Sequence, residues 1–267
     1  MGQSKITADR PEGGRDGNAA GEGAATGIDW RPGGVPVSRR FDDPYFSLDG
    51  GLAETRHVFL AGNDLPQRFR DGFHVAELGF GTGLSLVATI LAWEESGAAG
   101  RFRFTSFEAF PLGAQEIGAA LSQVLSLGPA DAPTVMPRAA PLIAGLVAAW
   151  GRGERRFALG PAEVAVIEGD ARATLPAWQG RADAWFLDGF APARNPELWE
   201  PQLLAQVAAH ALPGATFATY TAAGHVRRAL GEAGFDVLRV PGYGRKRHMS
   251  RGRLGPPVAA PGGGENA

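Results

Sequence analysis

Asp188 opens the stretch best equipped for chemistry. The run Asp188-Gly189-Phe190-Ala191-Pro192-Ala193-Arg194-Asn195-Pro196-Glu197-Leu198-Trp199 sets an acid, two aromatic rings, an arginine and an asparagine in a segment stiffened by two prolines. Such a loop makes a rigid, polar pocket with aromatic faces, and its composition is seldom that of a mere connector. A second stretch, Glu77-Leu78-Gly79-Phe80-Gly81-Thr82-Gly83, spaces three glycines at alternate positions, where the backbone can pass close to a ligand because no Cβ intrudes. By itself the string also fits an ordinary packing turn. Glu108 ends an apolar run, 102–107. A carboxylate at the tip of a parallel strand can accept both hydroxyls of a ribose, while a solvated strand end is the plain alternative. The nicotinamide and flavin pattern, which wants a further glycine after two intervening residues, fails at Leu84.

Holding these groups together requires alternating strands and helices. Residues 74–78 read as a buried strand, and 84–95 as a helix with Leu84, Leu86, Val87, Ile90 and Leu91 inward and its free N–H groups aimed at the glycine turn. The pattern then predicts a strand at 102–107, a helix at 111–127, a segment at 128–141 broken by four prolines, and a helix at 142–150. Two strands, 156–159 and 163–168, turn at Gly160-Pro161 and deliver Gly169-Asp170-Ala171 to a helix at 171–178. Further on come a strand at 182–187, a helix at 199–212 stopped by Pro213-Gly214, a strand at 215–221, a helix at 223–233 and a closing pair of strands at 234–240 and 247–250. That order predicts an α/β, Rossmann-like fold, mostly parallel, with a closing antiparallel strand. Residues 28–72 mix aromatics with acids, as in Phe41-Asp42-Asp43-Pro44-Tyr45-Phe46, and are either a cover over the crevice or a cap on the sheet edge. The chain is thus expected as one domain, a cover at 28–72 and a core at 73–253, between disordered tails at 1–27 and 254–267.

Composition narrows the class. The 267 residues, 44% hydrophobic and 20% charged, suffice for one α/β domain with a sizeable core. The chain contains no cysteine, which excludes disulfides, zinc–thiolate sites and thiol nucleophiles. No apolar run reaches the roughly 18 residues of a membrane span, so a cytoplasmic enzyme is expected. A net charge of −2 argues against nonspecific coating of nucleic acid, yet Arg239, Arg245, Lys246, Arg247, Arg251 and Arg253 cluster without an intervening acid. They are a candidate phosphate surface, or simply an arginine-rich tail.

Glu77, two residues before Gly79, stands where the first motif of S-adenosylmethionine-dependent methyltransferases has its acid. From Trp30 to Arg251 the chain resembles one such family, the methyltransferases that complete 5-methylaminomethyl-2-thiouridine at the tRNA wobble position, of the MnmD type and equivalent to the N-terminal methyltransferase domain of bifunctional MnmC. The marks are Pro36-Val37-Ser38, Phe41-Asp42-Asp43 and Tyr45-Phe46-Ser47; Gly79-Phe80-Gly81-Thr82-Gly83-Leu84; Trp185-Phe186-Leu187-Asp188-Gly189-Phe190-Ala191-Pro192 with Asn195-Pro196 and Trp199; Thr221-Ala222-Ala223-Gly224 with Val226-Arg227-Arg228; and Gly242-Tyr243-Gly244-Arg245-Lys246-Arg247. Ser85, Tyr243 and His248 depart from the usual residues.

The resemblance implies a class I methyltransferase fold and S-adenosylmethionine as methyl donor, held by Glu77, Gly79, Phe80, Gly81, Thr82, Gly83, Glu108, Asp170, Ala171 and Asp188. Asp170 would accept from the adenine amino group, although it also suits a helix N-cap. Asp188 would be the catalytic residue, holding and orienting the substrate amine while its proton leaves to water, because an ordinary aspartate is a weak base for an amine. Phe190 and Trp199 would stack on the flipped base, Trp199 being equally suited to packing, with Asn195 beside them. Arg194, Arg245, Lys246 and Arg247 would meet phosphates of the tRNA anticodon stem loop. The resemblance implies no metal, no flavin in this chain, no membrane, a monomer, and a separate enzyme supplying the aminomethyl group. A methyltransferase for another amine, or a tRNA-binding scaffold without turnover, are the competing expectations.

Overall fold

The computed structural model describes residues 27–32, 34–46, 50–126 and 132–256. The expected tails lie outside the described residues except at their inner ends, where Leu254 still belongs to a strand.

Three short strands, β1 (Ile28–Arg31), β2 (Val35–Ser38) and β3 (Asp43–Pro44), form a small antiparallel sheet. The helix α1 (Gly51–Thr55) follows, running on through a π turn at Arg56–Leu60 and a 3-10 turn at Ala61–Asn63. The core then alternates as β4 (His74–Leu78), α2 (Leu84–Ser96), β5 (Phe102–Glu108), α3 (Ala114–Ser126), α4 (Ala132–Gly151), β6 (Arg156–Leu159), β7 (Ala162–Glu168), α5 (Ala171–Ala177) and β8 (Ala182–Leu187). It closes with α6 (Pro201–Ala209), β9 (Ala211–Thr219), α7 (Gly224–Glu232), β10 (Phe235–Pro241) and β11 (His248–Leu254).

The main sheet has the order β10-β11-β9-β8-β4-β5-β7-β6. The central strands β9, β8, β4, β5 and β7 run parallel, and β6, β10 and β11 pair antiparallel at the two edges. From β4 the chain winds outward through β5 to β7, then returns to lay β8 on the other side of β4. The order reverses between β4 and β8, and such a reversal opens a crevice beyond the carboxyl ends of the strands.

Strand alternation divides the core. Val75, Phe104 and Phe186 face α2, α3, α4 and the N-terminal segment, while Ala76, Leu78, Phe107, Trp185 and Leu187 face α5, α6 and α7. Both faces being covered explains why every residue of β4 and β8 is buried.

Four local expectations are corrected. Within the described part of the proline-rich stretch, from Ala132 on, the helix does not break: α4 passes through Pro137 and Pro141, both exposed. Buried Val135, Ala139, Leu142, Ile143 and Leu146 hold the helix against its neighbours, and tertiary packing overrides propensity. The helix expected at 199–212 is split into a 3-10 turn at Pro196–Trp199 and α6. Pro213-Gly214 does not end a helix but sits in a bulge of β9, whose partner register jumps from Ala182↔Ala211 to Ala184↔Thr216 with Gly214 at φ 72°. The last strand runs to Leu254 because its full length pairs with β10.

The N-terminal segment is tied to the sheet by buried polar bonds. Asn63, fully buried, donates to the Phe59 and Trp185 carbonyls at 2.9 and 3.3 Å and accepts from the Thr216 hydroxyl at 2.7 Å. Arg68 donates to the carbonyls of Asn63 and Asp183, each at 3.0 Å. An Asn63→Ala change strands these groups in the interior and should cost about 2–4 kcal/mol. A lowered midpoint in urea unfolding checks this, and an unchanged midpoint would show that the segment is held elsewhere.

Candidate functional site

The parallel registers decide what meets at the crevice. Leu78 pairs with Leu187 on β8 and with Phe107 on β5, and Glu108 pairs with Glu168 on β7. The next residues on the four strands, Asp188, Gly79, Glu108 and Gly169-Asp170, therefore emerge in a row. They line one cavity of about 620 Å³, within the range of sites that enclose a small molecule. Residues of the N-terminal segment, Phe41, Asp43, Tyr45, Glu54 and Thr55 among them, form its other wall.

Gly79 sits at φ 87°, and a Cβ there would lie 3.0 Å from the Asp188 carbonyl oxygen. Any other residue at 79 would push the two strand ends apart. The turn continues through Gly81, whose N–H donates to Oε2 of Glu108 at 2.9 Å, to Gly83, where α2 begins without a side-chain cap. Thr82 and Phe80 are both buried and line the cavity, and the Phe80 ring stacks on Trp150 at 4.9 Å.

Glu108 accepts a second backbone N–H, from Phe110 at 2.8 Å, on its other oxygen. Burial raises its pKa, opposed by the backbone donors at Gly81 and Phe110. Each oxygen keeps a second lone pair, so the carboxylate can brace the turn and still accept two hydroxyls. Asp170 caps α5 by accepting the Arg172 N–H at 2.9 Å, and the Arg172 guanidinium pairs with it and holds its pKa low. Ala171 follows, also on the wall.

Asp188 lies at the cavity floor and accepts the Gly189 N–H at 2.8 Å. Burial pushes its carboxyl up to about 7, against the opposing pull of that N–H and of the Lys246 ammonium. The loop after it is held at three points: Asp43 accepts the Ala191 N–H at 2.8 Å, the Tyr220 hydroxyl donates to the Gly189 carbonyl at 2.8 Å, and the Trp199 indole donates to the Phe190 carbonyl at 3.0 Å. Phe190 stacks on Phe41 at 4.6 Å and meets the edge of Tyr45 at 5.2 Å. Asn195 lines the cavity, whereas Arg194 is exposed at the rim and pairs with Asp42 at 3.5 Å.

Three expectations change. Glu77 does not reach the cavity: strand alternation puts it on the face of Val75, fully buried under the turn, where it accepts the Ser106 hydroxyl at 2.7 Å. Burial, reinforced by Asp188, drives its pKa well up against the pull of the Ser106 and Ser85 hydroxyls. Trp199 is buried beneath the loop and cannot offer a face to a base. Lys246 is exposed along its side chain like Arg245 and Arg247, but its ammonium turns inward to pair with Glu54 at 2.8 Å. Glu54 and Tyr220 were not singled out in the sequence. Tyr220 directly follows β9, so the strand-end rule that picks out Asp188, Glu108 and Asp170 also picks it out once that strand is placed correctly.

Since the folded protein holds the Asp188 proton more tightly than an unfolded chain, this carboxyl favours the fold below about 4 and the contribution is lost as pH rises through about 7. Without ligand, Asp188→Asn should therefore melt higher than the parent at pH 8, with the gap closing toward pH 5. An equal gap at both pH values would contradict the buried-acid assignment.

Comparison with known proteins fits this geometry. A family model described as S-adenosyl-L-methionine-dependent methyltransferase matches residues 139–254. The chain is 45% identical over 235 residues to the tRNA 5-methylaminomethyl-2-thiouridine biosynthesis bifunctional protein MnmC of Stutzerimonas stutzeri (strain A1501), covering 85% of this chain and 34% of that protein. It is 46% identical over 242 residues to MnmC of Pseudomonas aeruginosa (strain UCBPP-PA14), covering 87% and 36%. The chain thus spans about a third of the length of these curated relatives. The solved structure of MNMC2 from Aquifex aeolicus aligns with a TM-score of 0.66 over 89% of this chain and 73% of that one, at 22% identity, and so shares the fold.

Proposed function

Because the chain belongs to the S-adenosyl-L-methionine-dependent methyltransferases, as a relative of one third of the MnmC proteins, we propose that it methylates the 5-aminomethyl group of the (2-thio)uridine at the tRNA wobble position, giving 5-methylaminomethyl-2-thiouridine. The observation that carries this reading is the row of groups along one cavity: an acid poised near neutrality, the glycine turn, a ribose-type carboxylate and the Asp170 cap.

The residues fit such a donor. Glu108 would accept the ribose hydroxyls, Asp170 and Ala171 would meet the adenine edge, and the backbone of Gly79, Gly81 and Gly83 with Thr82 would hold the amino-acid end, with Glu77 supporting the turn from below. S-adenosylmethionine supplies a methyl carbon on a positively charged sulfur, which a neutral amine nitrogen displaces. The protein's part is to position the amine and take its proton. Transfer from a lysine-like amine at about 10.4 to an ordinary aspartate at about 3.9 costs about 8.8 kcal/mol. With Asp188 at about 7, the cost falls to about 4.6 kcal/mol. Asp188 therefore serves as proton acceptor as well as orienting group, a larger role than its residue type suggests.

Phe190 is the aromatic candidate for the flipped base, once its contact with Phe41 opens, and Asn195 adds a polar contact at the wall. Exposed Arg194, Arg245 and Arg247 are candidates for phosphates of the anticodon stem loop. Residues 28–72 act as cover to a core at 73–253 in a single unit, working as a monomer, with neither metal nor flavin required in this chain and the aminomethyl group supplied by a separate enzyme. Among the described residues no helix is long and apolar enough to cross a membrane, and a tRNA substrate places the reaction in the cytoplasm.

Nucleoside mass analysis tests the reading. tRNA carrying 5-aminomethyl-2-thiouridine, incubated with the protein and S-adenosylmethionine, should gain one methyl on that nucleoside, and Asp188→Asn should lower kcat by about 100-fold or more. No methylated nucleoside, or transfer unaffected by Asp188→Asn, would contradict it.

A further inference from the structure

Beyond the groups assigned above, the cavity holds a cluster built around an ammonium. Nζ of Lys246 lies 2.8 Å from Oε1 of Glu54 and 4.1 Å from the centre of the Tyr220 ring, and all three residues line the cavity with Asp188. The two sides of this contact differ in kind. The Glu54 side chain is 13% exposed, a fixed part of the wall on α1. Tyr220 is pinned through its hydroxyl to the Gly189 carbonyl. Lys246 is 47% exposed and reaches in from the turn between β10 and β11, a flexible arm whose tip makes, among the described residues, one ion pair, with Glu54. A carboxylate and an aromatic face converging on one point form a receptor for an ammonium group, and Asp188 stands on the same cavity wall to take a proton from whatever occupies it.

Resting on the amine-methylation reading above, we propose that Glu54 and the face of Tyr220 form the subsite that receives the substrate's ammonium group, and that Lys246 fills it only until the substrate arrives. The subsite sets the substrate class, a primary ammonium on a short uncharged arm. A uridine arm ending in a carboxylate would bring its charge against Glu54 and Asp188. A uridine with no amine would leave the two acids facing only Lys246 and gain nothing from them. Once Lys246 withdraws, the substrate nitrogen takes its place between Glu54 and the Tyr220 ring.

The test is a binding cycle on the full chain, using one tRNA prepared with 5-aminomethyluridine and the same tRNA with unmodified uridine at the wobble position. The ratio of their dissociation constants isolates the amine, since phosphate contacts cancel. The wild type should prefer the aminomethyl form by about tenfold or more, a preference that Glu54→Gln cuts to less than about threefold while binding of S-adenosylmethionine persists. Lys246→Met should keep the preference or enlarge it, because the stand-in is gone. A preference unchanged in Glu54→Gln, abolished in Lys246→Met, or absent in the wild type overturns the subsite. A wild type that binds no S-adenosylmethionine by calorimetry overturns the methyltransferase reading itself, so the two failures are distinguishable.

Discussion

The structure depends on one close approach, that of Gly79 to the Asp188 carbonyl, where a Cβ would sit 3.0 Å from the oxygen. It follows from the parallel pairing of β4 with β8, which brings Leu78 level with Leu187 and sends the two chains out of the sheet side by side. Because the strand order reverses at this pair, the helices that follow diverge and leave the crevice open above it. The glycine turn and the acid are thus neighbours by construction. Every other group at the site is placed relative to them: Glu108 by the adjacent strand, Asp170 by the strand beyond, and the N-terminal segment by the Asp43 bond to Ala191.

Charge along the crevice is graded. At the Asp170 end the carboxylate is already neutralised by Arg172 and its pKa is low. Toward Asp188 burial outweighs the hydrogen bonds the acids accept, and Glu108, Glu77 and Asp188 are all pushed up. Uncompensated buried acids cost the empty protein stability, and a cation entering among them recovers it. That gradient matches the proposed ligands, a neutral purine at one end and, at the other, a sulfonium beside an amine. It also gives Asp188 a pKa suited to accepting a proton at neutral pH, which an exposed aspartate lacks.

Much of this was legible in the sequence because it is local. An acid directly after an apolar run marks a strand end, and that rule finds Asp188 and Glu108; Asp170 is marked by the Gly169 that follows the next strand, and the alternate glycines mark the turn. Glu54, Tyr220 and the inward turn of Lys246 were not legible, since their meeting joins three elements far apart in the chain. Glu77 and Trp199 show a second limit. Their types suit a binding site, but strand alternation buries one, and an indole bond to the Phe190 carbonyl buries the other. The helix through Pro137 and Pro141 shows a third, where packing of an apolar face outweighs residues that ordinarily stop a helix.

The central claim is that the donor's charged sulfur comes to rest beside Asp188. Carbon NMR titration of the Asp188 carboxyl, with S-adenosylmethionine or S-adenosylhomocysteine bound, measures this directly. The account predicts a carboxyl pKa near 7 in the free protein, a marked fall with the sulfonium donor and a much smaller one with the uncharged thioether. A carboxyl that titrates alike in both complexes would contradict it.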